Sequence, residues 1–193
     1  MTSLINKESA NGYATVPVEA ELLNSREIFL TAPVDPETMN ALIMSLLYLE
    51  RKSPDEEITL YINSPGGDVS SGLAAYDLMK LMRAPIRTVC IGTAASMAAI
   101  LFLAGEKREM LPNTNVMIHD PSIASFSVQY MKPAEVGERL TGLKKTQASL
   151  CRIISQVTGR PEKEVRKKMR TDSFFSAEEA VEFGLATAVC EKL

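Results

Sequence analysis

Apolar positions fall into a helical or strand rhythm only after about the first 15 residues, which are polar and predict a mobile segment with no element of its own. Glu27-Ile28-Phe29-Leu30 is the first strand candidate, closed by Ala32-Pro33. From 36 to 51, Met39, Leu42, Ile43, Leu46, Leu47 and Leu49 recur mainly at spacings of three and four, which predicts a helix with one buried face that ends at Ser53-Pro54-Asp55. A β-rich run over 58–62 then enters the turn Asn63-Ser64-Pro65-Gly66-Gly67, and a helix follows over 70–83. The same order repeats with a strand over 86–91, Gly92 as the turn and an apolar helix over 96–105; 115–119 is a third strand. Strands alternating with helices predict an α/β domain, in which reactive groups collect where strands end.

The segment 133–157 is different. Pro133 stands in its first turn, Gly159 and Pro161 lie past its end, and Val136, Leu140, Leu143, Leu150, Ile154 and Val157 form a seam interrupted by Gln147. Two readings fit this periodicity: a helix packed on its own sheet, or an interface helix shared between subunits. Further on, Ser176 with Glu179 three residues later makes a capping box for a helix over 177–183.

Composition narrows the partners. At 193 residues one domain is expected, and a net charge of −3 with both signs interspersed offers no basic stripe for nucleic acid. The opening MTSLINKESANGYATV lacks the apolar core of a secretory signal, so the protein is expected not to be exported. Its longest apolar run, 94–104, is too short for a membrane helix, which needs about 20 residues. Cys90, Cys151 and Cys190 are odd in number and far apart, which argues against a disulfide framework and fits a reducing cytoplasm.

A serine hydroxyl needs a base, a group orienting that base, and donors for the oxyanion. The chain has one histidine, so any Ser-His mechanism must use His119, which follows an apolar strand and precedes Asp120-Pro121. Ser96 lies between a strand and an apolar helix among small residues, a place where a helix N-terminus could serve a nucleophile, but taken alone it reads better as a helix cap. Gly67 in the Pro65-Gly66-Gly67 turn offers an N–H with no side chain in the way. Asp172 has no evident capping role, since Ser176 fills it. Gly137 and Gly142 before Lys144-Lys145-Thr146 echo a phosphate-binding loop, but Leu143 breaks the motif inside a helix. With one histidine and no cysteine cluster a catalytic zinc is not expected, and no cofactor is expected from the sequence.

Taken together, Tyr61-Ile62-Asn63-Ser64-Pro65-Gly66-Gly67, Ala94-Ala95-Ser96-Met97, Leu111-Pro112-Asn113 with Val116-Met117-Ile118-His119, and Asp172 before Phe174 resemble the proteolytic subunits of Clp proteases, the ClpP family. The likeness runs from about Leu22 to the C-terminus. It implies one α/β domain over 1–193, a spiral of β-β-α units related to the crotonases, with a flexible axial segment at 1–20 and a handle helix protruding from 122–158. It implies heptameric rings paired into a 14-subunit barrel, an AAA+ unfoldase that delivers unfolded polypeptides, and ATP-dependent serine endopeptidase activity. By the same resemblance Ser96 matches the nucleophile, His119 the base and Asp172 the acid. Gly67 and Met97 match the two residues whose amides form the oxyanion hole, and the handle assignment favours the interface reading of 133–157.

The chain also departs from that pattern and looks like a divergent paralogue. Ser122, Ile123 and the stretch through Phe126 stand where the family has a Gly pair and a strand beside the substrate. The segment 104–109 is short, and Glu109 falls where an aromatic residue of the unfoldase-docking pocket is expected, which implies weak docking. Thr171 replaces an arginine that pairs across the rings. Two rivals follow: a crotonase-like CoA-dependent enzyme, and a mainly structural subunit of a barrel mixed with an active paralogue.

Overall fold

The computed structural model describes residues 3–9, 12–122 and 132–192. In chain order, the first half forms β1 (Leu4–Ser9), β2 (Gly12–Pro17), α1 (Val18–Asn24), β3 (Glu27–Leu30), α2 (Pro36–Lys52), β4 (Ile58–Ser64), α3 (Val69–Leu81) and β5 (Ile86–Ala95). The second half forms α4 (Met97–Phe102), β6 (Lys107–Met110), β7 (Asn115–Ile118), α5 (Pro133–Thr158), α6 (Glu162–Met169), β8 (Ser173–Ser176), α7 (Ala177–Phe183) and β9 (Ala188–Val189). The α/β alternation read from the sequence is present.

The main sheet runs β3-β4-β5-β6-β9, every neighbour parallel. Its spine is β5, which pairs with β6 over Arg87–Cys90 and with β7 over Thr93–Ala95. β7 in turn pairs antiparallel with β8. Gly92 is therefore not a turn: the strand passes through it to Ala95. A Cβ at Gly92 would lie 2.7 Å from Asn63 Cγ, so the glycine marks a close approach of β4 to β5 where their register shifts.

The hydrophobic pattern does not predict β1, β2, α1, α6, β6, β8 or β9. β1 and β2 pair as an antiparallel hairpin, and Lys7 bonds Glu21 on α1 at 2.8 Å. The strands are exposed on both faces, so backbone pairing forms them without any apolar alternation to betray it. β6, β8 and β9 each bury at most one residue, so no apolar run marks them, whereas β3 and β7, also four residues long, bury two and three.

The core centres on α4, all of whose residues are buried. α2 covers it with Met39, Leu42, Leu46 and Leu49, and starts at Asp35, which forms a capping box with Thr38 ahead of Pro36. Arg26, at φ 65°, lies buried and donates to the carbonyls of Leu49, Ser53, Glu56 and Glu57, binding the end of α2 to the loop that enters β4. α5 begins at Pro133 and stops at Gly159, which is left-handed at φ 71°. Only its second half packs, through Leu150, Cys151 and Ile154; Leu140 in the first half is 49% exposed. Among the described residues no helix is long and apolar enough to cross a membrane.

Candidate active site

Two strand ladders bring the sequence-selected residues together. β5 and β7 are parallel with Ala95 opposite Met117, so Ser96 and His119 leave their strands at the same edge of the sheet. Ser96 N–H donates to Met117 O at 2.8 Å, extending that ladder by one bond. β7 and β8 are antiparallel with Ile118 opposite Ser173, and one further step sets His119 opposite Asp172. The side chains meet accordingly: Ser96 Oγ lies 2.8 Å from His119 Nε2, and His119 Nδ1 lies 3.1 Å from Asp172 Oδ1.

Ser96 stands at the N-cap position of α4, but its side chain makes no capping bond. Its backbone sits at φ 54°, ψ −120°, a conformation that non-glycine residues rarely adopt. The sharp turn from β5 into α4 lifts Oγ out of the helix mouth and aims it at the imidazole. Asp172 is likewise free of capping duty, because Ser176 and Glu179 form the expected capping box on α7. Its side chain is 63% exposed, against 28% for His119.

Gly67 and Met97 come near Ser96 from two separate pieces of chain. Val34 N–H donates to Gly66 O and Asp68 N–H donates to Val34 O, so Gly67's own N–H turns away from Val34. Gly67 has φ 150° and lines the same cleft as Ser96 and His119. Met97 is the first residue of α4, where an N–H has no carbonyl of its own helix to bond. Gly66, which the sequence reading treated only as part of a turn, lets these pieces close up. A Cβ there would meet Ala95 O, Met97 N at 2.7 Å and Ser96 Cβ at 2.9 Å. The sequence signal was the double glycine itself, since one of the pair suffices for a turn.

The cleft, of about 950 Å³, runs from the Pro65–Gly67 loop to the first half of α5, where Arg139, Leu143 and Thr146 form its far wall. Beneath Ser96 the floor is apolar, with Val69, Ile100, Ile118, Leu150, Ile154 and Met169. Ser122 lies on the rim, whereas residues 123–126, expected to diverge beside a substrate, and the rest of the handle entry through 131 lie outside the described residues. Glu109 is not a free acid on the sheet: Arg87 donates to it through both Nε and Nη2.

A hydroxyl, an imidazole, a carboxylate and two amides at the edge of a parallel sheet are the parts that acyl transfer uses. The chain belongs to the Clp protease family, whose model, described as Clp protease, matches residues 10–193, and it is a protease of the Clp type.

Proposed function

We propose that the protein is a serine endopeptidase in which Ser96 is the nucleophile, His119 the base and Asp172 the orienting acid. The observation that carries this reading is the pair of contacts on one imidazole, 2.8 Å to Ser96 Oγ and 3.1 Å to Asp172 Oδ1. Asp172 accepts from Nδ1–H and so fixes the tautomer that leaves Nε2 free to accept the serine proton. Ser96 Oγ attacks the scissile carbonyl as Nε2 takes that proton. The oxyanion of the tetrahedral intermediate is stabilised by the N–H groups of Gly67 and Met97, over an apolar floor that strengthens both bonds. His119 then returns the proton to the leaving amine, and water hydrolyses the acyl-enzyme by the same route.

The family also supports self-association, and the finer reading is a barrel of paired heptameric rings with an AAA+ unfoldase feeding unfolded chains into it. The first half of α5 suits an inter-ring contact: Leu140 is exposed, and Gly137 and Gly142 have open space around them. Unfoldase docking at the sheet face is weak in this reading, because a hydrophobic loop would meet the Arg87–Glu109 pair. Three free, buried thiols suit a reducing cytoplasm.

The test is Ser96→Ala, assayed for hydrolysis of fluorogenic peptides and of an unfolded protein, with native mass measured on the same samples. Loss of turnover at unchanged mass supports the reading. Undiminished turnover refutes it.

A further inference from the structure

The two amides assigned to the oxyanion belong to separate pieces of chain. Gly67 leads through Asp68, the N-cap of α3, into that helix, while Met97 opens α4. Their separation therefore depends on how closely α3 approaches α4. That approach is made at Gly72, buried on α3 one turn from Asp68 and bonded to it, N–H to O, at 3.1 Å.

A Cβ on Gly72 would lie 2.9 Å from Met97 Cε and 3.0 Å from Met97 Sδ, and nearer still to Met97 Cγ. The Met97 side chain thus occupies the notch that the missing Cβ leaves, and Met97 is 1% exposed. Cγ is two bonds from the Met97 backbone, so it cannot swing aside as the end of a flexible chain would. Packed surroundings leave it no alternative rotamer without displacing a neighbour. Glycine weakens a helix relative to alanine, and Gly72, in the first turn of α3, has φ < 0 and no capping role, so its close approach to Met97 is what accounts for it. Gly137 and Gly142 on α5 make the contrast, with nothing within 4 Å of an added Cβ.

We propose that Gly72 is a positioning residue for catalysis: by seating the Met97 side chain, it sets the distance between the Gly67 and Met97 amides and holds both on the developing oxyanion. This rests on the reading of Ser96 as an acylating nucleophile. A methyl group at position 72 pushes α3 and the start of α4 apart, and the two donors no longer converge on one oxygen. Substrate is still bound by the rest of the cleft, so the damage falls on the chemical step.

The experiment compares wild type, Gly72→Ala, Met97→Ala and the double variant for kcat and KM on a fluorogenic peptide. It also measures inhibition by a peptide boronate, whose tetrahedral adduct places an oxygen where the oxyanion forms, together with melting temperature and native mass. Gly72→Ala is expected to lower kcat on the order of a hundredfold, as displacements of about 1 Å do. KM stays near its wild-type value, and boronate affinity falls with kcat. In the double variant the new methyl occupies space that Met97 vacated, and part of the loss is recovered. Wild-type kcat in Gly72→Ala overturns the proposal, as does a loss that follows melting temperature and is not relieved in the double variant. If Gly72→Ala does not fold, Met97→Ala decides: it keeps the amide but removes the side chain that anchors it, so kcat and boronate affinity fall together, and unchanged values overturn the proposal. A wild-type protein without peptidase activity refutes the serine mechanism and this inference together, whereas an active wild type with an unaffected Gly72→Ala refutes only this one.

Discussion

Ser96 Oγ stands 2.8 Å from His119 Nε2 because Ala95 and Met117 are paired across parallel strands, and each reactive residue follows its strand's end. Backbone pairing, not side-chain packing, thereby holds the two groups in register. Asp172 is set by the antiparallel β7–β8 ladder. His119→Ala should therefore remove peptidase turnover while leaving melting temperature close to wild type. Asp172→Asn should lower kcat by about 10⁴-fold, because the amide orients the wrong tautomer. Steady-state kinetics on fluorogenic peptides check both, and an Asp172→Asn enzyme of wild-type kcat would show that the 3.1 Å contact is not used.

Arg26 is predicted to be a stability residue with no part in the chemistry. Its guanidinium is the donor for four carbonyls around the end of α2. Arg26→Ala removes four bonds to carbonyls, one of them buried, and should lower stability by about 1–3 kcal/mol. Denaturant unfolding measures this, and a change near zero would mean that water replaces the side chain without loss.

Alkaline solution should destabilise the fold. Burial pushes the thiols of Cys90 and Cys151 above the ordinary 9.0, and burial likewise raises the hydroxyls of Tyr61 and Tyr76 above 10.0, helped at Tyr61 by its bond to Glu27. Each group is neutral when protonated, so the unfolded chain loses these protons first. Between the ordinary and the raised values the native state holds more protons, and stability falls as pH rises. It is whole below the ordinary thiol value. Unfolding midpoints from neutral pH to about 10 should fall, and native Cys90 should resist alkylation until the chain unfolds. A midpoint that rises over this range contradicts the account.

Assembly should depend on the exposed half of α5. Leu140→Asp is expected to reduce the native mass in analytical ultracentrifugation while far-UV circular dichroism stays the same, since Leu140 is half exposed in the protomer. Arg170 and Thr171, both exposed past the end of α6, supply no cross-ring arginine at position 171. If the protein forms the proposed paired rings, they should dissociate on dilution, and peptidase activity should fall with them. A particle of constant mass over the concentration series would contradict this.

Long periodic elements were legible in the sequence, and so were the residues at their ends. α2, α3, α5 and the strands β3, β4 and β7 fall where the apolar spacing predicts them, because each buries one face or lies wholly in the core. Of the candidate site residues, His119 stands out for a chemical reason, since a chain with a single histidine leaves one imidazole base, whereas Ser96, Asp172 and Met97 take their candidate roles from the family resemblance. Gly92 misled because a glycine inside a strand can mark a close backbone approach, here to Asn63, without a turn. The β1–β2 hairpin left no pattern because it is exposed, and β8 because it buries only Phe175. Without β8, the sequence could nominate Asp172 but could not say what holds it opposite His119. The strain at Ser96 and the notch at Gly72 are tertiary facts, invisible until strands and helices are in place.

If Ser96 is an activated nucleophile, a fluorophosphonate should react with it, and peptide mass mapping of the labelled protein would show where. The account predicts a single adduct per chain, on Ser96, formed by the wild type, absent in Ser96→Ala and slowed strongly in His119→Ala. An unlabelled wild-type protein, or an adduct that persists in Ser96→Ala, would contradict it.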